Sequence, residues 1–192
     1  SFVLPGGVPK GLTNDDEYNE IKKIADYAVE FAKFTITVFN DIVLANKAYV
    51  DIILGDVYLH KTHNMGLVNK KNQVDFYDGD IRVTDCQGKE VVKFKAADYL
   101  KHIGEHVENF TYLKFPYLKA FGWKGFVDGM ESGIYKATPL SRLNVSDSMS
   151  TPLAQAEYER MYKTLGGRPV NHTLATHWAR VIELLNAAEL MQ

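Results

Sequence analysis

A chain of 192 residues suits one domain, or one domain carrying a small insert, and 46% apolar with 24% charged residues is enough to fill a core. A formal net charge of −2 without any block of like charges argues against a nucleic-acid groove or a basic membrane-surface helix. Glu30, Lys33, Asp41, Lys47 and Asp51 interrupt the longest apolar stretch, so no window reaches the roughly 18 uncharged residues of a membrane span. The opening S-F-V-L-P-G-G-V-P-K lacks a basic n-region and a small-residue cleavage site and does not read as a signal peptide. It reads like the middle of a longer protein, and the last residues stop inside a helical pattern. The one cysteine, Cys86, forms no internal disulfide, which fits a reducing compartment. It also supplies one sulfur where a thiolate-held cluster needs several.

Residues 1–12, with Pro5, Gly6, Gly7, Pro9 and Gly11, predict a loop. Thr13 and Asn14 are candidate helix N-caps, followed by Asp15, Asp16 and Glu17 at the positive end of the helix dipole. Apolar steps of three and four through Tyr18, Ile21, Ala25, Ala28, Phe31, Phe34, Val38 and Ile42 predict a long amphipathic helix over 15–43. Ile24, Ala32, Thr35 and Phe39 widen its stripe, so most of its girth is expected to be buried. A second helix follows over 45–54. After Lys70 the period changes to two, and Asp78-Gly79 and Gln87-Gly88 offer turns for a three-stranded antiparallel meander over 73–95.

Residues 97–107 read as a short helix with Tyr99, Leu100 and Ile103 on one face. The stretch 110–144 is aromatic, rich in Gly and Pro, and without a period, which marks a functional or interface segment. Two helices close the chain. One has Thr151 as N-cap and Pro152 at N1 and ends at Gly166-Gly167; the other starts near Asn171 and carries Leu174, Trp178, Val181, Leu185 and Ala188. The expected organisation is a loop and long helices over 1–70, a meander insert over 71–96, and the irregular segment with the closing helices over 97–192.

Several motifs offer chemistry. His102-Ile103-Gly104-Glu105-His106 matches the H-x-x-E-H of one zinc-peptidase class, with His102 and His106 on one helix face and Glu105 as base. Gly104 weakens such a helix by about 1 kcal/mol, and no third ligand is evident, so two solvent-facing histidines are the preferred reading. His60-Lys61-Thr62-His63 is read as a solvated loop rather than a metal pair. Gly6-Gly7 has no preceding strand or phosphate-loop pattern and reads as a tight turn. Arg180 lies three residues from both His177 and Glu183; an Arg180–Glu183 pair is preferred to an arginine held near a buried site. Ser141, His177 and Asp147 can be written as a triad, but no nucleophile elbow supports it. Cys86 has no neighbour in sequence to activate it. These residues alone describe an α-rich domain with a β insert.

The irregular segment adds a resemblance. F-T-Y-L-K-F-P-Y-L-K at 110–119, G-I-Y-K-A-T-P-L-S-R-L-N at 133–144, T-P-L-A-Q at 151–155 and G-G-R-P-V-N-H-T-L-A-T-H-W-A-R-V-I-E-L-L-N-A-A-E at 166–189 resemble the central part of nickel–iron hydrogenase large subunits. L-P-G-G-V at 4–8 resembles the family's H-P-G-G-V turn, and F-Y-D-G at 76–79 resembles the insert of its soluble cytoplasmic branch, heterodisulfide-reductase-linked, viologen-reducing or NAD-linked. Lys136 stands where the family has arginine, Ser141 where it has alanine, and Leu4 where it has histidine.

The resemblance implies a mainly α fold with a small antiparallel β insert (α+β) and a helical-bundle core of the hydrogenase large-subunit type. It implies reversible hydrogen oxidation at a nickel–iron centre in the complete subunit, in the cytoplasm. The partners it implies are electron-acceptor subunits and a hydrogenase small subunit with iron–sulfur clusters, with neither nucleic acid nor a membrane span. The family's cysteine motifs for the metals do not occur here, so no catalytic, cofactor-binding or metal-ligating residue is assigned, and the chain alone is expected to be an inactive scaffold segment. Tyr117, Phe121 and Trp123 are expected to face the small subunit. The alternative is a non-catalytic hydrogenase-like assembly or electron-transport subunit.

Overall fold

The computed structural model describes residue 11 and residues 14–192. The expectations for the opening loop, the Gly6-Gly7 turn, the L-P-G-G-V resemblance and Thr13 lie outside the described residues. Helix α1 (Asp15–Phe39) begins where the Asn14 side chain accepts a hydrogen bond from the Glu17 amide at 2.9 Å, with three acidic residues in the first turn. It runs on through a π-helical turn, Asn40–Leu44. Asn46 then caps α2 (Lys47–Ile53). Strands β1 (His63–Val68), β2 (Asp80–Thr84) and β3 (Glu90–Phe94) follow, then the short α3 (Tyr99–His102). Strands β4 (Ile103–Val107) and β5 (Lys114–Leu118) form a two-stranded antiparallel sheet. After the two-residue β6 (Tyr135–Lys136) come α4 (Pro139–Val145), α5 (Pro152–Thr164) and α6 (Thr176–Met191).

The main sheet has the order β3-β2-β1-β6, with β1 antiparallel to β2 and parallel to β6. The architecture is therefore α/β with a four-stranded mixed sheet, and the expected helical bundle with a small β insert is corrected. Local pattern misled at three places. His63 lies in β1, in a segment read as loop, because its strand is buried by α4 and alternates little. Val74 makes only isolated bridge contacts with Val68, since the Asp75 carboxylate accepts from the Tyr77 and Asp78 amides and curls 75–78 into a loop. Residues 103–107 are strand rather than helix. There a Cβ on Gly104 would meet the Tyr117 ring at 2.6 Å, so glycine permits the close pairing of β4 with β5.

The core is organised around α6. Trp178, Ala179, Ile182, Leu185 and Ala188 are buried against Val29 and Ala32 of α1, Leu140 and Leu143 of α4, and Ala154, Tyr158 and Met161 of α5. A smaller cluster, Val83, Phe94 and Leu118, fills the space between the two sheets. The expectation that α1 is buried over most of its girth is corrected: its buried positions are Ala25, Val29 and Ala32, while Phe31 and Phe34 are exposed. One neighbour, α6, accounts for one face of a helix and no more.

Candidate functional site

Two of the segments that carry the hydrogenase resemblance, 133–144 and 166–189, meet at one polar seam, where α4 crosses between the main sheet and α6. Thr138 caps α4 by accepting from the Ser141 amide at 3.2 Å, and Pro139 occupies its first turn. The helix presses on β1 so closely that a Cβ on Gly66 would meet the Arg142 Cα at 2.9 Å. Six of its seven residues are buried, including the polar Ser141 and Asn144. Buried polar groups stay only where their hydrogen bonds are met.

Asn144 meets all of its own. Its amide donates to the Val170 carbonyl at 2.8 Å and to the Asn64 side-chain oxygen at 3.2 Å. Its oxygen accepts from the Tyr162 hydroxyl at 2.8 Å and from the Val170 amide at 3.1 Å. One side chain thus joins β1, α4, α5 and the segment before α6. Burial holds the Tyr162 hydroxyl well above its ordinary pKa, so it stays a donor. On the far side of α4, Arg142 reaches Glu183 of α6 in a two-pronged ion pair. Arg82 of β2 donates to the Val145 carbonyl at 2.6 Å and pairs with Glu90 and Asp147.

Beside this seam lies a group of cationic and imidazole side chains. Lys136 is buried, and its ammonium donates to the His60 carbonyl at 2.6 Å and lies 3.5 Å from the Asn171 side-chain oxygen. Loss of water drives its pKa down to about 8 against the pull of Asp128 and Cys86. His63 is buried too. Its Nε2 donates to the Met130 carbonyl at 3.0 Å and its ring packs on Phe121 at 4.5 Å, while Nδ1 has no partner. Burial lowers its pKa and so favours the neutral imidazole.

The candidates written from sequence are not brought together. His102 stacks on Phe94, and His106 stacks on Trp123 and bonds to Glu108. The intervening chain is strand, which separates residues four apart by about 13 Å, and Glu105 pairs with Lys114. The zinc-peptidase arrangement therefore does not form. Ser141 is buried against Thr138, His177 is exposed, and Asp147 binds Arg82 and Arg168, so no triad exists. Arg180 is exposed, and Glu183 takes Arg142 instead. His60 pairs with Asp128 rather than with His63. The Cys86 carbonyl accepts from Asn171. No group of three His, Cys, Asp or Glu side chains suited to a metal ion occurs among the described residues. Tyr117, Phe121 and Trp123 are half-buried, and the more exposed rings nearby are Phe110, Tyr112 and Phe126. Sequence reasoning missed Asn64, Asn144 and the Arg142–Glu183 pair. The available signal was S-R-L-N itself, a polar-rich run in a stretch otherwise dominated by aromatic residues.

No family model matches the chain. Over 186 residues, 97% of its length, it is 43% identical to an F420-non-reducing hydrogenase iron-sulfur subunit of Archaeoglobus profundus, of which it covers 38%. In an alignment that spans 98% of its length it is 37% identical to the NAD-reducing hydrogenase HoxS subunit beta of Cupriavidus necator, again covering 38%. A chain in the crystal structure of an NAD+-reducing NiFe-hydrogenase in the H2-reduced state matches with a TM-score of 0.74 and 29% identity, over 98% of this chain and 39% of that one.

These comparisons correct the assignment to a nickel–iron large subunit, and with it the nickel–iron centre and the role of partner to a small subunit, because the Archaeoglobus relative is named an iron-sulfur subunit. The physical reason is that the motif residues join elements of the fold: Lys136 binds the His60 carbonyl, Arg142 binds Glu183, and Asn144 ties β1 and α5 to the Val170 backbone. An iron–sulfur cluster is not met by these residues either, since one thiol cannot replace several. No helix among the described residues is long and apolar enough to cross a membrane. The relatives are hydrogenase subunits, and this chain is similar, along nearly all its length, to somewhat more than a third of theirs.

Proposed function

We propose that this chain is the non-catalytic, structural portion of an electron-transport subunit in a hydrogenase complex. The observation that carries the reading is the similarity over 97% of the chain to a hydrogenase iron-sulfur subunit. In this reading no residue of the chain ligates a metal. Its work is mechanical: the Asn144 and Arg142–Glu183 bonds lock α4 between the sheet and α6, and a rigid support of this kind keeps redox groups held elsewhere in a complex at fixed separation. The aromatic cluster of His106, Phe115, Trp123 and Phe126 makes the β4–β5 hairpin a stiff projection suited to contact electron-acceptor subunits.

The test has two arms. Co-expressed with the other subunits of such a hydrogenase, the tagged chain is expected to purify with hydrogen-oxidising activity. Incubated alone with iron and sulfide without oxygen, it is expected to bind no stoichiometric cluster. A chain that purifies free of the complex sinks the hydrogenase role, and a stoichiometric cluster on the chain alone sinks the structural one.

A further inference from the structure

Helix α1 has two apolar faces, and only one is used. Val29 and Ala32, with Ile36 and Phe39, pack into the core beside α6, and Ala25 is buried on the same face. Rotated away from them are Ile24, Tyr27, Phe31, Phe34, Val38 and Ile42, spaced 3, 4, 3, 4 and 4 residues apart. Ile24 is 60% exposed, Tyr27 70%, Phe34 60% and Ile42 59%. The Tyr27 and Phe31 rings lie 6.4 Å apart, as do those of Phe31 and Phe34, so the stripe is a continuous ridge.

Spacing of three and four is what a helix offers to another helix: repeated near every 3.5 residues, it makes a seam into which a partner's side chains interlock. A strand or an irregular segment would not follow it. A soluble monomer rarely leaves a contiguous apolar patch of more than a few hundred square ångströms uncovered, and each aromatic side chain here presents a large share of the 150–250 Å² it can bury. The similar subunits are much longer than this chain, which covers 38% of the Archaeoglobus and Cupriavidus relatives and 39% of the matched crystal-structure chain. Most of such a subunit thus lies outside this sequence. The solvent-facing stripe of α1 is where added helices find an apolar surface of matching period.

We propose that the Ile24–Ile42 seam of α1 seats a helix from the part of the hydrogenase subunit that lies outside this chain. The inference stands on the seam and on the length of the relatives, and holds whatever redox role the complete subunit has. The partner helix carries aliphatic residues at heptad spacing.

The test is complementation in solution. The regions of the Archaeoglobus relative that this chain does not match are produced as separate polypeptides and mixed with the chain, and the mass of any complex is measured by light scattering. A one-to-one complex is expected, weakened at least tenfold by Phe31→Glu with Phe34→Glu, and unchanged by Lys22→Glu elsewhere on the helix. The single change Tyr27→Lys, at the most exposed of these positions, is expected to weaken it as well, and circular dichroism of each variant alone checks that the fold persists. Absence of a complex, or a complex indifferent to all seam changes, overturns the proposal. So does self-association of the chain that the seam changes abolish, since a second copy would then be the occupant.

Discussion

Arg142 on α4 and Glu183 on α6 meet through two parallel hydrogen bonds, Nε to Oε1 at 2.6 Å and Nη2 to Oε2 at 2.7 Å. The fork of the guanidinium matches the carboxylate, a geometry an ammonium cannot reproduce. The Glu183 side chain is 11% exposed and that of Arg142 28%, so the pair is largely but not wholly out of water. Because it ties a helix on the sheet to the central helix of the core, its loss loosens both. Breaking a buried pair by removing one partner costs about 3–5 kcal/mol, and the partial exposure of Arg142 reduces this. Glu183→Gln is expected to cost about 2–3 kcal/mol, and Arg142→Lys nearly as much, in urea unfolding followed by circular dichroism. A loss below about 0.5 kcal/mol, within the usual range for surface changes, would show the pair to be incidental.

Lys136 makes stability depend on alkaline pH. Its pKa is lowered from 10.5 to about 8 by burial, so between those values the unfolded chain binds more protons than the folded one. Stability therefore rises as pH increases through that window, and the burial cost stands in full below about pH 8. Measured as the difference between the natural chain and Lys136→Met, the gain is expected to approach about 3 kcal/mol, with other titrations cancelling. A difference that stays flat from pH 7 to pH 10.5 would refute a charged buried ammonium.

His63 acts at the acid end. Burial lowers its pKa below 6.5, so on acidification the unfolded chain takes up its proton first. Stability is expected to fall as pH drops below 6.5 and to level off once the folded-state pKa is passed. Proton NMR of the imidazole should show His63 titrating below the ordinary histidine value of 6.5. An ordinary titration near 6.5 would mean that the ring is open to water.

Gly66 is required by contact and not by backbone conformation. A Cβ there would lie 2.8 Å from Val145 Cγ2 and 2.9 Å from the Arg142 Cα, and the latter is backbone that cannot swing aside. Gly66→Ala is expected to push α4 off β1 and cost about 1–3 kcal/mol, read as a lowered melting temperature. Gly125→Ala tests the opposite case: open space surrounds it, but φ is +83°, so its cost comes from backbone strain alone and is expected to be about 1 kcal/mol.

Much of the helical framework was legible from residue order. Asn14 followed by three acidic residues marked the start of α1, and Pro152 after Thr151 marked α5, because capping and proline geometry are decided within one turn of chain. Even there the partner came from afar: the Thr151 side chain caps no amide of its own helix, and Glu189 of α6 accepts from the Leu153 and Ala154 amides instead. The single thiol likewise limits this chain to one sulfur, whatever its fold.

What only the tertiary structure decided were the pairings between distant residues. Strand β1 sits centrally because β2 and β6, one on either side of it, bind it from opposite directions, and nothing local to His63–Val68 announces that. Sequence spacing pairs Glu183 with Arg180, three residues away, but it binds Arg142, because helical period fixes which side chains are near in the chain and not which element packs alongside. The sequence shows an apolar period from Tyr18 to Ile42 that puts Ala25 on one stripe with Phe31 and Phe34. That Phe31 and Phe34 face solvent in this chain, while Ala25, Val29 and Ala32 are buried, depends on where α6 lies.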